Sequence, residues 1–294
     1  MELRRLGLTA LLFAARLSAQ PAQRQLLLRL DDVGLNHSVN DAIRRVADAG
    51  IPFSASVLVV APAYGEAVEI LKAHPNISVG VHLALNAEWR NYRWGPVLGR
   101  TAVPSLVDSL GHFLSSTRGF LAHHYDLGEV ERELGAQVDR ALTSGLTIDY
   151  VDYHMGTAVS TPELRAVVER VAAAHHLGVS RYFGESVREL WGIAIGAKRD
   201  SLLSYVAHVP SERLGLLVVH VAEATPEMNA LFDLNAAQMN SPSGEPLSGR
   251  HRQAELDALL SPTFAAAVRD AHVRLSTYRD VIAARGLAGM HAPR

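Results

Sequence analysis

The sequence predicts an α/β fold: a single-domain, irregular (β/α) barrel with about seven mainly parallel strands, spanning roughly residues 24 to 288. Three observations predict it. Short apolar runs alternate with helical patterns, as expected for parallel strands joined by crossover helices. Titratable residues fall at the C-terminal ends of four of those runs, the edge where parallel β/α architectures build their sites. The length of 294 residues suits one barrel, and 48% hydrophobic against 20% charged residues supplies a large core.

The elements follow in order. The run 25–30 (QLLLRL) reads as the first strand. A helix SVNDAIRRVADAG follows, with Ser38 and Asp41 spaced as a capping box and a stop at Gly50. The second strand is 54–60, and Pro62 suits the first turn of the helix after it. The third strand is 77–83. Asp126 is placed to cap a helix whose Val130, Leu134, Val138 and Leu142 share one face. The strand 148–153 (IDYVDY) comes next, and Thr161 with Pro162 opens a helix that runs to Gly178. Strands at 178–183, 214–219 and 273–277 complete the set. Two segments, 86–125 and 221–252, break the alternation, and loops of that length are usually functional or disordered. Trp89, Tyr92 and Trp94 within six residues are not a disordered composition. No internal repeat or linker divides the chain.

Residues 1–20 differ in kind. Arg4 and Arg5 precede an apolar stretch from Leu6 to Leu17, and the small Ser18 and Ala19 follow. That order is the signature of a secretory signal peptide, removed near Ala19 or Gln20. Residues 21–294 would then be the mature domain, secreted or periplasmic. The plainer alternative is an amphipathic N-terminal helix on a cytosolic protein. The stretch is interrupted by Arg16 and is too short to span a bilayer, so no membrane span is expected. The formal charge is −2 with no basic run, which gives no footprint for nucleic acid. The absence of cysteine excludes disulfides and thiolate metal sites.

The first run ends at Asp31 and Asp32, the ISVGV run at His82, IDYV reaches Asp152 and His154, and LLVV ends at His220. Each has a plainer reading alone. Two aspartates before Gly34 suit a turn, and a lone strand histidine is often a buried, hydrogen-bonded one. Asp152, two before His154, either orients an imidazole on the same strand face or is a solvated strand-end acid. Four independent strand ends together argue against the plainer readings. His123–His124 and His175–His176 lack that context and read as surface residues. One carboxylate and two imidazoles suffice for a divalent metal with open positions. Such an ion activates water and polarises a carbonyl. A second carboxylate then suits a general base and a further histidine a general acid. If strand geometry persists, the two aspartates point to opposite faces, in keeping with different tasks.

In these motifs the chain resembles the YdjC-like carbohydrate deacetylases, which include chitooligosaccharide and hopanoid-associated deacetylases. DDVG resembles the family's DDFG motif, GVHLAL its metal-histidine strand and VDYHMG its D-x-H motif. EWRNYRWGP and VPSLVD resemble the loop after GVHL, VVHVAEATPEM the late histidine motif, and VRLSTYRDVI the C-terminal signature. The resemblance runs from about residue 25 to 283. It implies Asp32, His82 and His154 as metal ligands, Asp31 as general base and His220 as general acid. It also departs from the family. Met155, Gly156 and Thr157 stand where many members continue a histidine cluster, Val33 replaces the usual Phe, and Val221 the usual Pro or Thr. The pocket is therefore expected to differ.

These readings lead to a metal-dependent carbohydrate deacetylase acting on the acetamide of an N-acetylated sugar. The cofactor is one divalent ion, zinc or magnesium, or another transition ion. Trp89, Tyr92 and Trp94 offer either a sugar-stacking wall or ordinary loop packing. Related enzymes suggest a homodimer. Two alternatives are a metal-dependent esterase or phosphoesterase on the same scaffold, and a carbohydrate-binding protein without catalysis.

Overall fold

The computed structural model describes residues 24–293. The strands are β1 (Arg24–Val33), β2 (Ser54–Val57), β3 (Ser78–Leu83), β4 (Ile148–Tyr153), β5 (Gly178–Val179), β6 (Ser186–Glu189), β7 (Gly215–Val219) and β8 (Val273–Ser276). They form one sheet in the order β5-β4-β3-β2-β1-β7-β6, with β8 beside the first half of β1. Every pairing is parallel. The sheet curls into a half-barrel, and its two outermost strands, β5 and β6, are joined by residues 180–185.

Helices surround it: α1 (His37–Asp48), α2 (Tyr64–Ala73), α3 (Thr117–Ala122), α4 (Leu127–Thr143), α5 (Pro162–Ala174), α6 (Lys198–Ala207), α7 (Pro226–Asn229), α8 (Ser248–Leu259), α9 (Pro262–Asp270) and α10 (Tyr278–Arg285). The predicted α/β barrel of about seven parallel strands is thus what the chain forms.

Alternation along β1 sorts its side chains onto two faces. Leu26, Leu28 and Leu30 are fully buried in the main core that the helices cover. Each such leucine contributes about 1.5–3 kcal/mol of burial. Leu27 belongs to a second, inner cluster with Tyr150, Leu216, Val218 and Tyr278. Arg29 and Asp31 continue that inner face towards the C-terminal edge. On β2 and β3 the inner positions are Ser54, Ser56, Ser78 and Gly80, all small. They leave room for the Tyr150 and Tyr278 rings, 4.3 Å apart. A Cβ on Gly80 would lie 2.4 Å from the Tyr150 ring, so Gly80→Ala would force that ring out of place. The two tyrosines fill the bottom of the half-barrel, and polar chemistry is left for its top.

Several boundaries move. The N-cap of α1 is Asn36, whose side chain accepts from Val39 N at 3.0 Å, so the predicted Ser38–Asp41 capping box does not form. Ser38 is buried instead against Thr225 and Glu227. The helix opened by Thr161 stops at Ala174, and Gly178 begins β5. β5 pairs over two residues only, because the chain turns at Arg181 and Gly184, both with positive φ. The unpredicted β6, SVRE, is too polar to read as a strand. The proposed signal peptide, residues 1–20, lies outside the described residues.

Candidate active site

At the end of β1 the backbone breaks step. Asp32 has φ +63°, and the register with β2 shifts between Leu30 and Val33. The left-handed residue turns Asp32 back, so both aspartates reach one cavity at the C-terminal edge rather than opposite faces. This corrects the expectation of simple alternation. Such a conformation costs on the order of 1–3 kcal/mol in a non-glycine residue, and aspartate tolerates it better than most side chains.

Asp32, His82 and His154 converge. His82 Nε2 lies 3.5 Å and His154 Nδ1 3.2 Å from Asp32 Oδ1, and the two ring nitrogens are 3.2 Å apart. The opposite ring nitrogens fix the tautomers. His82 Nδ1 donates to Asp152 Oδ1 at 3.0 Å, and His154 Nε2 donates to Glu88 Oε2 at 2.8 Å. Each imidazole therefore turns a lone pair towards the other and towards Asp32 Oδ1, which is buried with no hydrogen-bond donor. Three electron-pair donors facing one point suit a cation. Donors about 2.0–2.2 Å from a tetrahedral ion lie roughly 3.3–3.6 Å apart, close to the spacings here. The residues fit a divalent metal, and the carboxylates behind both histidines are the customary outer support of such ligands.

The other Asp32 oxygen is held by Arg252 NH2 at 2.6 Å. Burial opposes ionisation of Asp32, but the Arg252 guanidinium outweighs it and holds the carboxyl well below its usual range. Asp152 sits on the strand next to His82 and directly opposite it in register. Its partner is thus the cross-strand His82, not the same-strand His154. Asp152 also accepts from Ser56 Oγ at 2.8 Å and faces Arg29 Nε at 3.0 Å. Asp31, His82 and Asp152 also cluster, but the Arg29 guanidinium already bridges the two carboxylates.

Arg29 grips Asp31 with two hydrogen bonds of 2.7 Å. Burial raises the Asp31 pKa, yet the Arg29 guanidinium more than offsets this, and it ends below the ordinary carboxylate value. His220 Nε2 lies 3.9 Å from Asp31 Oδ2, and the ring stacks at a tilt on Trp191, centroids 4.8 Å apart. Burial pushes the His220 pKa down against the pull of Asp32 and Asp31. The cavity, of about 520 Å³, is lined by the two aspartates, the three histidines, Glu88, Tyr153, Trp191 and Asp233, among others.

Of the two readings of Trp89, Tyr92 and Trp94, the structure gives loop packing rather than a sugar-stacking wall, since none of them lines the cavity. Trp89 is fully buried, Trp94 is buried and donates to Asn86 O at 2.8 Å, and Tyr92 donates to Leu35 O at 3.0 Å. These rings pack the long loop onto the barrel. The aromatic on the cavity wall is Trp191, which sequence reasoning passed over. Glu88, Arg29 and Arg252 were also missed. Two carried a signal. Glu88 is the one carboxylate between Asn86 and Val107, and Arg29 is the one charge inside an apolar strand. Arg252 carried none.

The family model for YdjC-like proteins matches residues 25–270. The chain belongs to the YdjC-like family. A relative of this YdjC-like protein, a carbohydrate deacetylase of Geobacillus stearothermophilus, is 27% identical over 267 residues, 87% of this chain and 98% of the relative. A carbohydrate deacetylase of Brevibacillus brevis is 29% identical over 178 residues, 60% of this chain and 64% of the relative. Among solved structures, a proposed cellobiose-phosphate cleavage protein of Enterococcus faecalis shares the fold with a TM-score of 0.67 at 22% identity, covering 88% of this chain and 99% of that one.

Proposed function

We propose that this YdjC-like protein is a metal-dependent carbohydrate deacetylase that hydrolyses the acetamide of an N-acetylated sugar. The observation that carries the reading is the convergence of Asp32 Oδ1, His82 Nε2 and His154 Nδ1 beside an Asp31–His220 pair in one cavity. The relatives' shared name, carbohydrate deacetylase, supports the substrate class. The enzyme is a hydrolase of a carbon–nitrogen bond other than a peptide bond.

Asp32, His82 and His154 would hold a divalent ion, and two imidazoles favour zinc or another transition ion over magnesium. Such an ion supplies Lewis-acid polarisation of the acetyl carbonyl and a lowered pKa for water. The chain's own residues do the rest. Arg29 keeps Asp31 ionised and fixes its orientation, so Asp31 accepts the proton of the attacking water. His220 Nε2, 3.9 Å from Asp31 Oδ2, takes that proton on from Asp31 and delivers it to the departing sugar amine. Water adds to the acyl carbon, the C–N bond breaks, and acetate and a free amine leave. Trp191 presents an aromatic surface to the sugar.

The test pairs elemental analysis of purified protein with acetate release from N-acetylglucosamine oligomers. One equivalent of metal and acetate release that a chelator abolishes are expected. Bound metal with phosphate or ester turnover, and no acetate from any N-acetylated sugar, would overturn the reading.

A further inference from the structure

Behind the cavity lies an ion pair that the mechanism above does not use. Lys198 on α6 and Glu255 on α8 are both fully buried and bonded to each other. Neither faces the cavity. A buried pair is often no more stabilising than apolar residues of the same shape, so stability alone is a weak reason for it. The remaining bonds say more. Glu255 Oε2 accepts from the His220 backbone N–H at 2.7 Å. Lys198 Nζ donates to the carbonyl of Leu190 at 2.8 Å, the residue before Trp191. One pair thus holds the two backbone points that carry the stacked His220 and Trp191 rings.

His220 has little else to fix it. Its Nδ1 is buried with no hydrogen-bond partner, unlike the supported nitrogens of His82 and His154. The residue follows the last position of β7, so no sheet ladder extends over it. Its orientation comes from its main chain and from the Trp191 face.

We infer that Glu255, held in place by Lys198, is a positioning residue that sets the His220 imidazole through its backbone N–H. This rests on His220 acting in the proposed reaction. Misplacing a reacting group by about 1 Å can cost 100-fold in rate, so the positioning should appear in kcat.

Two double variants isolate the bond. K198M/E255Q removes both charges but keeps a side-chain carbonyl able to accept from the His220 N–H. K198M/E255L removes the acceptor as well. Both replace a buried ion pair by groups of similar volume, a change folds often tolerate. Melting temperature and metal stoichiometry are measured first, and then kcat and KM for acetate release. The NMR signals of the His220 ring are recorded in parallel, as a readout that needs no turnover. The expected result is equal metal content, similar KM, and a kcat at least tenfold higher in the Gln pair than in the Leu pair. The His220 ring signals should shift in the Leu pair and stay near the wild type in the Gln pair. Equal kcat and unshifted ring signals in both folded variants would overturn the inference. If the wild-type protein releases no acetate, the proposed reaction fails, and the ring signals still decide the role of Glu255. If the Leu pair does not fold, K198M/E255A in its place gives the same comparison.

Discussion

Replacing Asp31 by asparagine removes one charge and almost no volume. Arg29 holds Asp31 by two hydrogen bonds of 2.7 Å, and its Nε also lies 3.0 Å from Asp152. Asparagine keeps one acceptor for Arg29 and turns an amide N–H₂ towards the other guanidinium nitrogen. Breaking a buried ion pair outright costs about 3–5 kcal/mol. Here Arg29 keeps Asp152 as a counter-charge, so the loss should approach that of one charged hydrogen bond, about 1.5–3 kcal/mol. The protein should therefore stay folded.

The three donor atoms of the metal site are untouched, so one equivalent of metal should remain. The chemical step should slow by about two to four orders of magnitude, the usual worth of a general base. That is about 2.7–5.4 kcal/mol on the barrier, and it is read on folded, metal-loaded protein, separately from the stability change. The pH dependence has a definite sign. The Asp31 pKa is depressed in the folded protein from its ordinary 3.8. Its stabilising and base functions are thus present above that value and lost as pH falls through the lower, folded one. The acid limb of wild-type kcat/KM that belongs to Asp31 should lie below 3.8 and vanish in the variant. The assay is acetate release, metal stoichiometry and thermal melting on the same preparation. Turnover within about threefold of wild type would refute the base assignment, and loss of metal from Asp31→Asn would refute the division of labour between the aspartates.

Asp32→Asn, by contrast, should weaken metal binding, because a neutral amide is a poor third ligand beside two neutral imidazoles; equilibrium dialysis of both variants checks this. Glu88→Gln should lower metal affinity by about 10–100-fold, since it removes the carboxylate that fixes the His154 tautomer, and competition with a chelator reads the shift. Trp191→Ala should raise KM with the fold intact, whereas Trp89→Ala should destabilise by about 3–5 kcal/mol, because Trp89 is fully buried; kinetics and denaturant melts separate the two. Export we propose from the sequence alone, and N-terminal sequencing of protein from the native host should find a start just after Ala19 or Gln20; an intact Met1 on cytosolic protein would rule it out.

The parts of this molecule that sequence made legible are those in which a side chain's task depends on its place along one strand. Period-two alternation and position at the C-terminal end were enough to pick out His82, His154, Asp152 and His220, because a parallel sheet gathers its strand ends at one edge. What stayed hidden depends on contacts between elements far apart in the chain. Arg252 meets Asp32 across 220 residues, and nothing in the local sequence of α8 distinguishes it from its exposed neighbour Arg250. Glu88 could have been noticed as a solitary acid, but its partner His154 lies 66 residues on. The aromatic cluster misled for a related reason. Trp89, Tyr92 and Trp94 look like a binding wall because they crowd together, yet a loop of forty residues must bury something of its own, and large rings are what it has. Trp191 stands apart from that cluster, and nothing in its local sequence marks it. The aspartate pair shows the same limit at shorter range. Alternation predicts opposite faces, and one left-handed residue at Asp32 overrules it. That one backbone change puts a carboxylate gripped by Arg29 and a carboxylate facing two imidazoles in a single cavity, so the two charges at the end of an apolar strand have different neighbours without being far apart.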